Sequence, residues 1–503
     1  MDGVNGSEPL KSRHDRRVLL GLAAMTVVAL IAAFWITRAT NPLRGDSYEY
    51  LYFDASRPVG YPAFLALVRL VTGDVVLAVP AQILLLAGSL LILSWSFHKF
   101  FERPWLSFAF HTILIGFTAM WGQSALLIAE AISTALVAIW CAQLLRMIRA
   151  TPSLRGVAVL VTVTGLATMV RPSLVTLFIG TALFLLIALP PRDRLRALML
   201  TGAGLILSLG ATPIARLLIY GSASTTSPVA RGVLQHTLFC PLDTVPRDAD
   251  SRFVEQSAAP VRRYIEAAPP EMQAQLRGSY STLLRFGLII PVLGRRYDLT
   301  VRSQTDPYLG RIASERVKAN PSCYARSVIA EYARMAIFDT ELTKQDARRF
   351  NRYIEAHPPV VVPQYARLPG DEYLEHKAAA EVRNRISRIQ PRPQDLKGKG
   401  RYPLMVTLPI QLLFGGAALF GLLSLLALPF QKRLAPQLRQ IIPATAAMGI
   451  AFHTMLAITA IVEIGLLRYL VPVWPIVCTL FAVCLVGLID AWRAARRKGR
   501  LPA

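Results

Sequence analysis

The sequence predicts an α-helical membrane protein that crosses the bilayer about ten times. Hydrophobic residues make up 53% of the 503 positions and charged residues 17%, and the mean hydropathy is +0.43. Apolar runs also recur at close to the roughly 20 residues that a helix needs to cross the hydrocarbon core. Together these observations exclude an ordinary soluble enzyme.

Ten runs approach or exceed the spanning length. They are residues 18–37, 75–97, 105–121, 124–145, 156–170, 173–190, 197–219, 404–429, 440–462 and 469–490. The third, fifth and sixth are the shortest. No small-residue cleavage site follows the first run, so we expect a retained helix rather than a signal peptide.

The net charge of +24 follows the topology of the chain. Lys and Arg cluster beside alternate span ends: at 11–17, 99–103, 146–155, 192–196, 432–439 and 493–500. Basic residues in short loops mark the cytoplasmic side of a membrane. Ten spans place every cluster and both termini in the cytoplasm, so the positive charge does not require a nucleic-acid partner.

The same alternation places one long segment outside the cytoplasm. It divides the chain into a membrane region at 1–219, an extracytoplasmic and mainly helical domain at 220–402, and a second membrane region at 403–503. Cys240 and Cys323 are the two cysteines of the outer segment, where an oxidising compartment permits a disulfide. Two separate buried thiols are the alternative.

The first outer loop, 39–74, carries the segment RGDSYEYLYFDASRPVGYP at 44–62. Asp46 and Glu49 are three residues apart, so a helical turn would place both carboxylates on one face. Arg57 and the prolines after it predict a stiff turn into a short interfacial helix at 62–70. Solvated acids and an interfacial belt of tyrosines are the alternative interpretation.

Four further charged residues lie in or beside the outer halves of the spans. They are Glu130, Arg171, Glu463 and Arg468. A charge within a span costs roughly 2.5–3.5 kcal/mol on insertion scales, which makes each one a candidate functional residue. They predict either interhelical ion pairs or one polar cavity that opens outward, with acids for proton transfer and arginines for an anion.

Four short motifs, taken in order, resemble the GT-C superfamily of membrane glycosyltransferases. The similar groups are the family-39-like and aminoarabinose-transferase-like enzymes, which use polyprenyl-phosphate sugars. The motifs are the loop at 44–62, AEAISTA at 129–135, GLATMVRP at 165–172 and RYLVP at 468–472. Many relatives carry two adjacent acids in the first loop, whereas here Ser47 follows Asp46.

The resemblance implies a GT-C-like fold that moves a sugar from a polyprenyl-phosphate donor to a hydroxyl on a lipid, glycan or protein. The reaction needs a carboxylate to accept the hydroxyl proton and cations for the leaving phosphate. Asp46 is the candidate base, with Glu49 as the second catalytic acid. The candidate substrate-binding residues are Arg57, Tyr61, Glu130, Arg171, Glu463, Arg468 and Tyr469. No protein metal site is legible, although a divalent cation between acids and phosphate stays open.

Other function classes share part of this pattern. A lipid-linked oligosaccharide polymerase or ligase would also have many spans, a large outer segment and outer arginines. A transporter would be expected to show paired, broken half-repeats, which are not visible. A non-catalytic scaffold would explain the insert but not the clustered charges. The expected location in every case is the bacterial inner membrane.

Overall fold

The chain folds into a helical bundle, and no strand occurs among its described residues. The computed structural model describes residues 8–38, 42–43, 46–150, 152–223, 229–242, 246, 248–339, 352–353, 356, 404–462 and 467–497. In chain order its α-helices are α1 (Glu8–Arg38), α2 (Ser47–Leu51), α3 (Gly60–Thr72), α4 (Ala78–Phe101), α5 (Pro104–Ile115), α6 (Thr118–Ser124), α7 (Glu130–Arg149), α8 (Leu154–Val170), α9 (Thr176–Ala188), α10 (Pro191–Tyr220), α11 (Val229–Thr237), α12 (Ala249–Glu266), α13 (Pro270–Leu284), α14 (Ile290–Arg296), α15 (Asp306–Ala319), α16 (Pro321–Ala336), α17 (Leu404–Ala427), α18 (Pro436–Val462), α19 (Leu467–Leu470) and α20 (Trp474–Arg497).

Seven helical segments of the described chain are long and apolar enough to cross a membrane. They are Arg13–Thr37, Val75–Phe101, Glu130–Arg149, Pro191–Tyr220, Thr407–Arg433, Pro436–Val462 and Arg468–Arg497. Each coincides with one of the ten predicted runs. The chain is therefore a polytopic α-helical membrane protein, as its composition predicts.

The three shortest predicted runs have different structures. The run at 105–121 is broken, because α5 and α6 are bent by 51° relative to each other. The runs at 156–170 and 173–190 form apolar helices of fewer than 18 residues, Leu154–Val170 and Pro172–Ala188. The count of ten crossings stays a prediction.

One end of the bundle gathers the basic residues that the sequence assigns to short loops. Three ion pairs join helix ends there: Lys99–Asp15, Arg103–Asp490 (2.9 Å) and Arg149–Glu102 (3.4 Å). We call this the basic end. The opposite end, which carries the first loop and the insert, is called the site end. The basic residues at these helix ends thus share one end of the bundle.

The helices differ in how much of their surface faces outward. α4, α7, α18 and α20 form the centre, whereas α1, α10 and α17 expose most of their apolar side chains. Outward apolar surface on long helices is what lipid contact requires. Exposed tryptophans lie near both ends, with Trp35 towards the site end and Trp105 and Trp492 at the basic end. This arrangement matches the aromatic belts of membrane proteins.

The insert between α10 and α17 has a helical core of its own, formed by α11 to α15. Leu234, Val254 and Leu309 are among its buried residues. A disulfide joins Cys240, after α11, to Cys323 in α16. The predicted pairing of these two cysteines is thus present. The Pro-, Lys- and Gly-rich segment at 391–403, whose composition predicts a linker, lies outside the described residues.

Helix α16 attaches the insert to the membrane helices. The Tyr332 hydroxyl donates to Nδ1 of His453 in α18 at 2.6 Å, while Nε2 of His453 donates to the Ala418 carbonyl at 3.0 Å. Met335 and Phe338 continue into the core of the membrane helices. His453 therefore hydrogen-bonds both α16 and α17, and the insert is docked directly on the bundle.

Candidate functional site

The two acids of the first loop face one side, as their spacing predicts. Asp46 precedes α2 and Glu49 lies within it. Arg57 bridges them: its Nη2 lies 3.0 Å from Oδ1 of Asp46, and its Nε donates to Oε2 of Glu49 at 2.6 Å. Burial by itself lowers the pKa of the Arg57 guanidinium. The two carboxylates raise this pKa by more than burial lowers it, so the net shift is upward. Arg57 is therefore held as a cation.

Asp54 shapes the turn between α2 and Arg57. Its Oδ1 accepts hydrogen bonds from the backbone N–H and the hydroxyl of Ser56 at 2.8 and 2.7 Å. This is the local turn that aspartate side chains stabilise. The other oxygen, Oδ2, accepts from Ser303 of the insert at 3.0 Å. The loop that carries both acids is thus connected to the insert.

The site end of α10 supports the same loop from the membrane side. Thr212 accepts a hydrogen bond from the backbone N–H of Val59 at 3.2 Å, and Nη1 of Arg216 donates to the Phe53 carbonyl at 3.1 Å. Phe53 has a φ of +46°, a left-handed conformation that is uncommon for a bulky residue. The Arg216 hydrogen bond therefore stabilises the strained point of the loop.

Arg216 was missed by the sequence reasoning. It is a buried charged residue in the outer half of the predicted span at 197–219. That is the same signal that singled out Glu130 and Arg171. Applied to every span, the rule would have found it.

Tyr61, predicted to bind substrate, is fully buried. Its hydroxyl donates to the side-chain carbonyl of Gln82 at 2.9 Å, and its ring packs edge-on against Tyr50 with centroids 5.0 Å apart. Tyr48 and Tyr50 are also buried, so none of the three belongs to an exposed interfacial belt. Tyr61 lies beneath Tyr50 and supports the loop by packing.

Gln82 also hydrogen-bonds the chain that leads into α7 and Glu130. Its amide nitrogen donates to the carbonyls of Ser124 and Leu126 at 2.7 and 2.6 Å. These bonds satisfy the last carbonyl of α6 and one carbonyl of the buried, irregular segment 125–129 that precedes α7. The predicted span at 124–145 consequently begins as a helix only at Glu130.

A second group of charged residues surrounds Tyr469. The guanidinium carbon of Arg171 lies 4.6 Å from the ring centroid of Tyr469, and that of Arg468 lies 5.1 Å from it. Arg171 also pairs with Glu130 at 3.6 Å. One aromatic ring thus brings two arginines together, from the end of α8 and from α19.

Arg468 joins this group to the first loop. Its Nη1 lies 2.5 Å from Oδ2 of Asp46, across 422 positions of sequence. The structure therefore assembles eight of the nine predicted site residues at one end of the bundle. The ninth, Glu463, lies outside the described residues.

The six described charges of the site balance in sign, with three carboxylates and three guanidiniums. Their side chains differ in exposure, from 4% for Glu49 and 7% for Glu130 to 18% for Asp46 and 30% for Arg468. The pair Asp46–Arg468 is consequently the part of the site most open to solvent.

Carboxylates beside arginines can accept a proton and bind an anion, which are the two tasks expected from the sequence. Within the described part of the chain, no group of three or more His, Cys, Asp or Glu side chains is placed to hold a metal ion. A divalent cation between the acids and a phosphate stays open, as it does from the sequence. Comparisons with models of known protein families, with curated proteins and with solved structures give no match for this chain.

Proposed function

We propose that this protein is a membrane glycosyltransferase that uses a polyprenyl-phosphate sugar. The observation that carries the proposal is the contact between Asp46 and Arg468, with Arg171 on the same tyrosine ring as Arg468. A candidate base thus lies beside two candidate phosphate ligands. Arginine suits a phosphate because its planar donors bind two oxygens without losing charge.

In the proposed reaction, the acceptor hydroxyl oxygen attacks the anomeric carbon of the sugar. A new carbon–oxygen bond forms while the bond between that carbon and the phosphate oxygen breaks. The hydroxyl proton passes to Asp46, and the bond electrons leave with the polyprenyl phosphate. Arg171 and Arg468 stabilise the charge that grows on this phosphate.

The disulfide and the charges support an extracytoplasmic site. Cys240 and Cys323 are bonded on the insert, which lies at the site end, and disulfides persist in oxidising compartments. The basic end carries the arginines and lysines that mark the cytoplasmic face. We infer that the termini face the cytoplasm of a bacterial inner membrane and that the site faces outward.

The surroundings of the site suit a lipid-linked donor. α3 presents Leu67, Leu70 and Val71 outward, and α10 exposes Leu217 and Leu218 close to the first loop. A short helix with one apolar outward face is typical of a segment that lies in the membrane interface. A polyprenyl chain could therefore remain in the bilayer while its phosphate reaches the arginines.

Purified protein supplied with radiolabelled polyprenyl-monophosphate sugars tests the proposal. The native chain should transfer label to an acceptor fraction, and Asp46→Asn should lower turnover by roughly 10²–10⁴-fold, the usual contribution of a general base. Glu49→Gln should be milder if Glu49 orients Arg57. Normal turnover in both variants would remove the acids from the chemistry.

The assay also separates the alternatives. Transfer only from lipid-diphosphate glycans would favour an oligosaccharide polymerase or ligase. No transfer from either donor by folded native protein would favour a transporter or a scaffold. Arg171→Ala and Arg468→Ala should weaken donor binding as well as turnover, since a phosphate contact acts in both ground and transition states.

A further inference from the structure

Asp46 has both carboxylate oxygens engaged by arginines from distant parts of the chain. Oδ1 lies 3.0 Å from Nη2 of Arg57, and Oδ2 lies 2.5 Å from Nη1 of Arg468. Protonation of this carboxylate would weaken both ion pairs, so two guanidiniums oppose proton transfer onto it. In this arrangement Asp46 is a poorer base than it would be with one arginine.

The two arginines differ in how firmly they are held. Arg57 also binds Glu49, which is almost fully buried, and its guanidinium lies 4.7 Å from the ring centroid of Tyr50. Arg468 has the most exposed side chain of the six described site charges, at 30%. Arg57 is therefore the fixed partner of Asp46, and Arg468 is the partner that a ligand can reach.

We propose that Asp46 and the donor phosphate compete for Arg468, so that donor binding itself releases the base. This inference rests on the proposed function and adds an order of events to it. A phosphodiester presents two oxygens that fit a guanidinium fork, and Arg171 beside the same Tyr469 ring offers a second cation. Arg468 then turns from Asp46 to the phosphate, so that Asp46 keeps its ion pair with Arg57 and loses the one with Arg468.

The attraction between Arg468 and the phosphate increases as the reaction proceeds. The donor is a phosphodiester with one negative charge, whereas the departing polyprenyl phosphate is a monoester that gains a second. Arg468 is consequently attracted more strongly to the leaving group than to the bound donor, which is the condition for lowering a barrier. Asp46 becomes available to the acceptor proton only while a donor occupies the arginines.

Competition for Arg468 predicts that removal of a site carboxylate tightens ligand binding, whereas substitution of a site residue usually weakens it. Asp46→Asn should bind a long-chain polyprenyl monophosphate about fivefold more tightly than the native protein, although its turnover falls. Fivefold corresponds to about 1 kcal/mol, the upper range for a partly exposed ion pair. Arg468→Ala should bind more weakly. In the Arg468→Ala background, Asp46→Asn should bring no gain, because no competition is left.

Asp490→Asn is the matched control. Asp490 pairs with Arg103 at 2.9 Å with similar exposure, but at the basic end. Asp490→Asn removes one negative charge, as Asp46→Asn does, and should leave the dissociation constant for polyprenyl monophosphate unchanged. Asp46→Ser is the second variant should Asp46→Asn fail to give folded protein, since it removes the same carboxylate.

The outcomes separate this inference from the function beneath it. Native protein that binds no polyprenyl monophosphate would overturn the proposed function itself. Native binding with no tightening in either Asp46 variant would overturn the competition and keep the donor site. Equal tightening with and without Arg468 would also overturn it, because general charge repulsion would then be the cause.

Discussion

Gly60 lies directly against the backbone of Met169. A Cβ at position 60 would be 2.6 Å from the Met169 carbonyl carbon and 2.7 Å from its oxygen. The start of α3 is thereby fixed against the end of α8, two residues before Arg171. The placement of Arg171 relative to the loop acids depends on this contact, which only glycine permits.

Gly60→Ala is therefore expected to destabilise the protein and displace part of the site. The obstructing atoms are backbone, which cannot rotate away, so we expect a loss of about 1–3 kcal/mol, as for an overpacked core. Thermal unfolding in detergent and the transfer assay measure the two effects. Gly88→Ala is the control: its Cβ would meet nothing within 4 Å, and it lies inside α4, where alanine is favoured. Equal stability of both variants would contradict the contact.

Arg216 is predicted to be a positioning residue that holds the loop without touching substrate. Arg216→Met removes the hydrogen bond to the Phe53 carbonyl but keeps an apolar stem. We expect turnover to fall about 10- to 100-fold, since small misplacements of reacting groups have effects of this size. Binding of polyprenyl monophosphate should be unchanged, because Arg171 and Arg468 remain.

Two variants test that assignment. Arg216→Lys keeps one donor and should restore part of the turnover. Arg196→Met, at the exposed basic end of the same helix, should have no effect. A loss of donor binding in Arg216→Met equal to its loss of turnover would instead indicate a general structural defect.

Cysteine labelling on intact and lysed cells would show which end of the bundle faces the cytoplasm. The native cysteines are either bonded or buried, so a new exposed cysteine is the one that should react. Gln256→Cys, exposed on α12 of the insert, should react with a membrane-impermeant thiol reagent on intact cells. Arg155→Cys, exposed in the first turn of α8 at the basic end, should react only after lysis. The reverse result would turn the site towards the cytoplasm.

The disulfide should contribute measurably to the stability of the insert. It links residues 83 positions apart, which corresponds to roughly 4–5 kcal/mol in the chain-entropy description. The double variant Cys240→Ser/Cys323→Ser should unfold at a lower temperature, and reductant should lower native stability by a similar amount. Reductant should leave the double variant unchanged. A native protein indifferent to reductant would argue against the bond.

Most of the membrane architecture follows from hydropathy, because each span must satisfy its own backbone in lipid. The exceptions arise where tertiary contacts supply the hydrogen bonds that the span's own backbone would otherwise make. The predicted run at 105–121 is mostly apolar, yet the chain bends between α5 and α6. The start of the fourth span is irregular, and Gln82 donates hydrogen bonds to two of its carbonyls. No local sequence pattern predicts a hydrogen bond from a side chain on another helix.

The site was predictable as a set but not as a network. The costs of burying charge singled out Glu130, Arg171 and Arg468, and their positions along the spans placed them at one end. Which carboxylate meets which arginine depends on helix packing that sequence spacing does not encode. Arg57 illustrates this, because it was expected to bind substrate and in the structure it joins Asp46 to Glu49.

Because Asp46 pairs with Arg468, the candidate site can form only late in the synthesis of the chain. At translation rates of 5–20 residues per second, the 422 positions between them take roughly 20–80 seconds to make. Throughout that interval the loop acids exist without one of their cations. A chain that stalls or is cleaved before residue 467 holds its acids and Arg171 but lacks Arg468, the second arginine of the candidate site. Under the proposed function, such incomplete copies would have no transfer activity, because the candidate site is completed only when α19 is made.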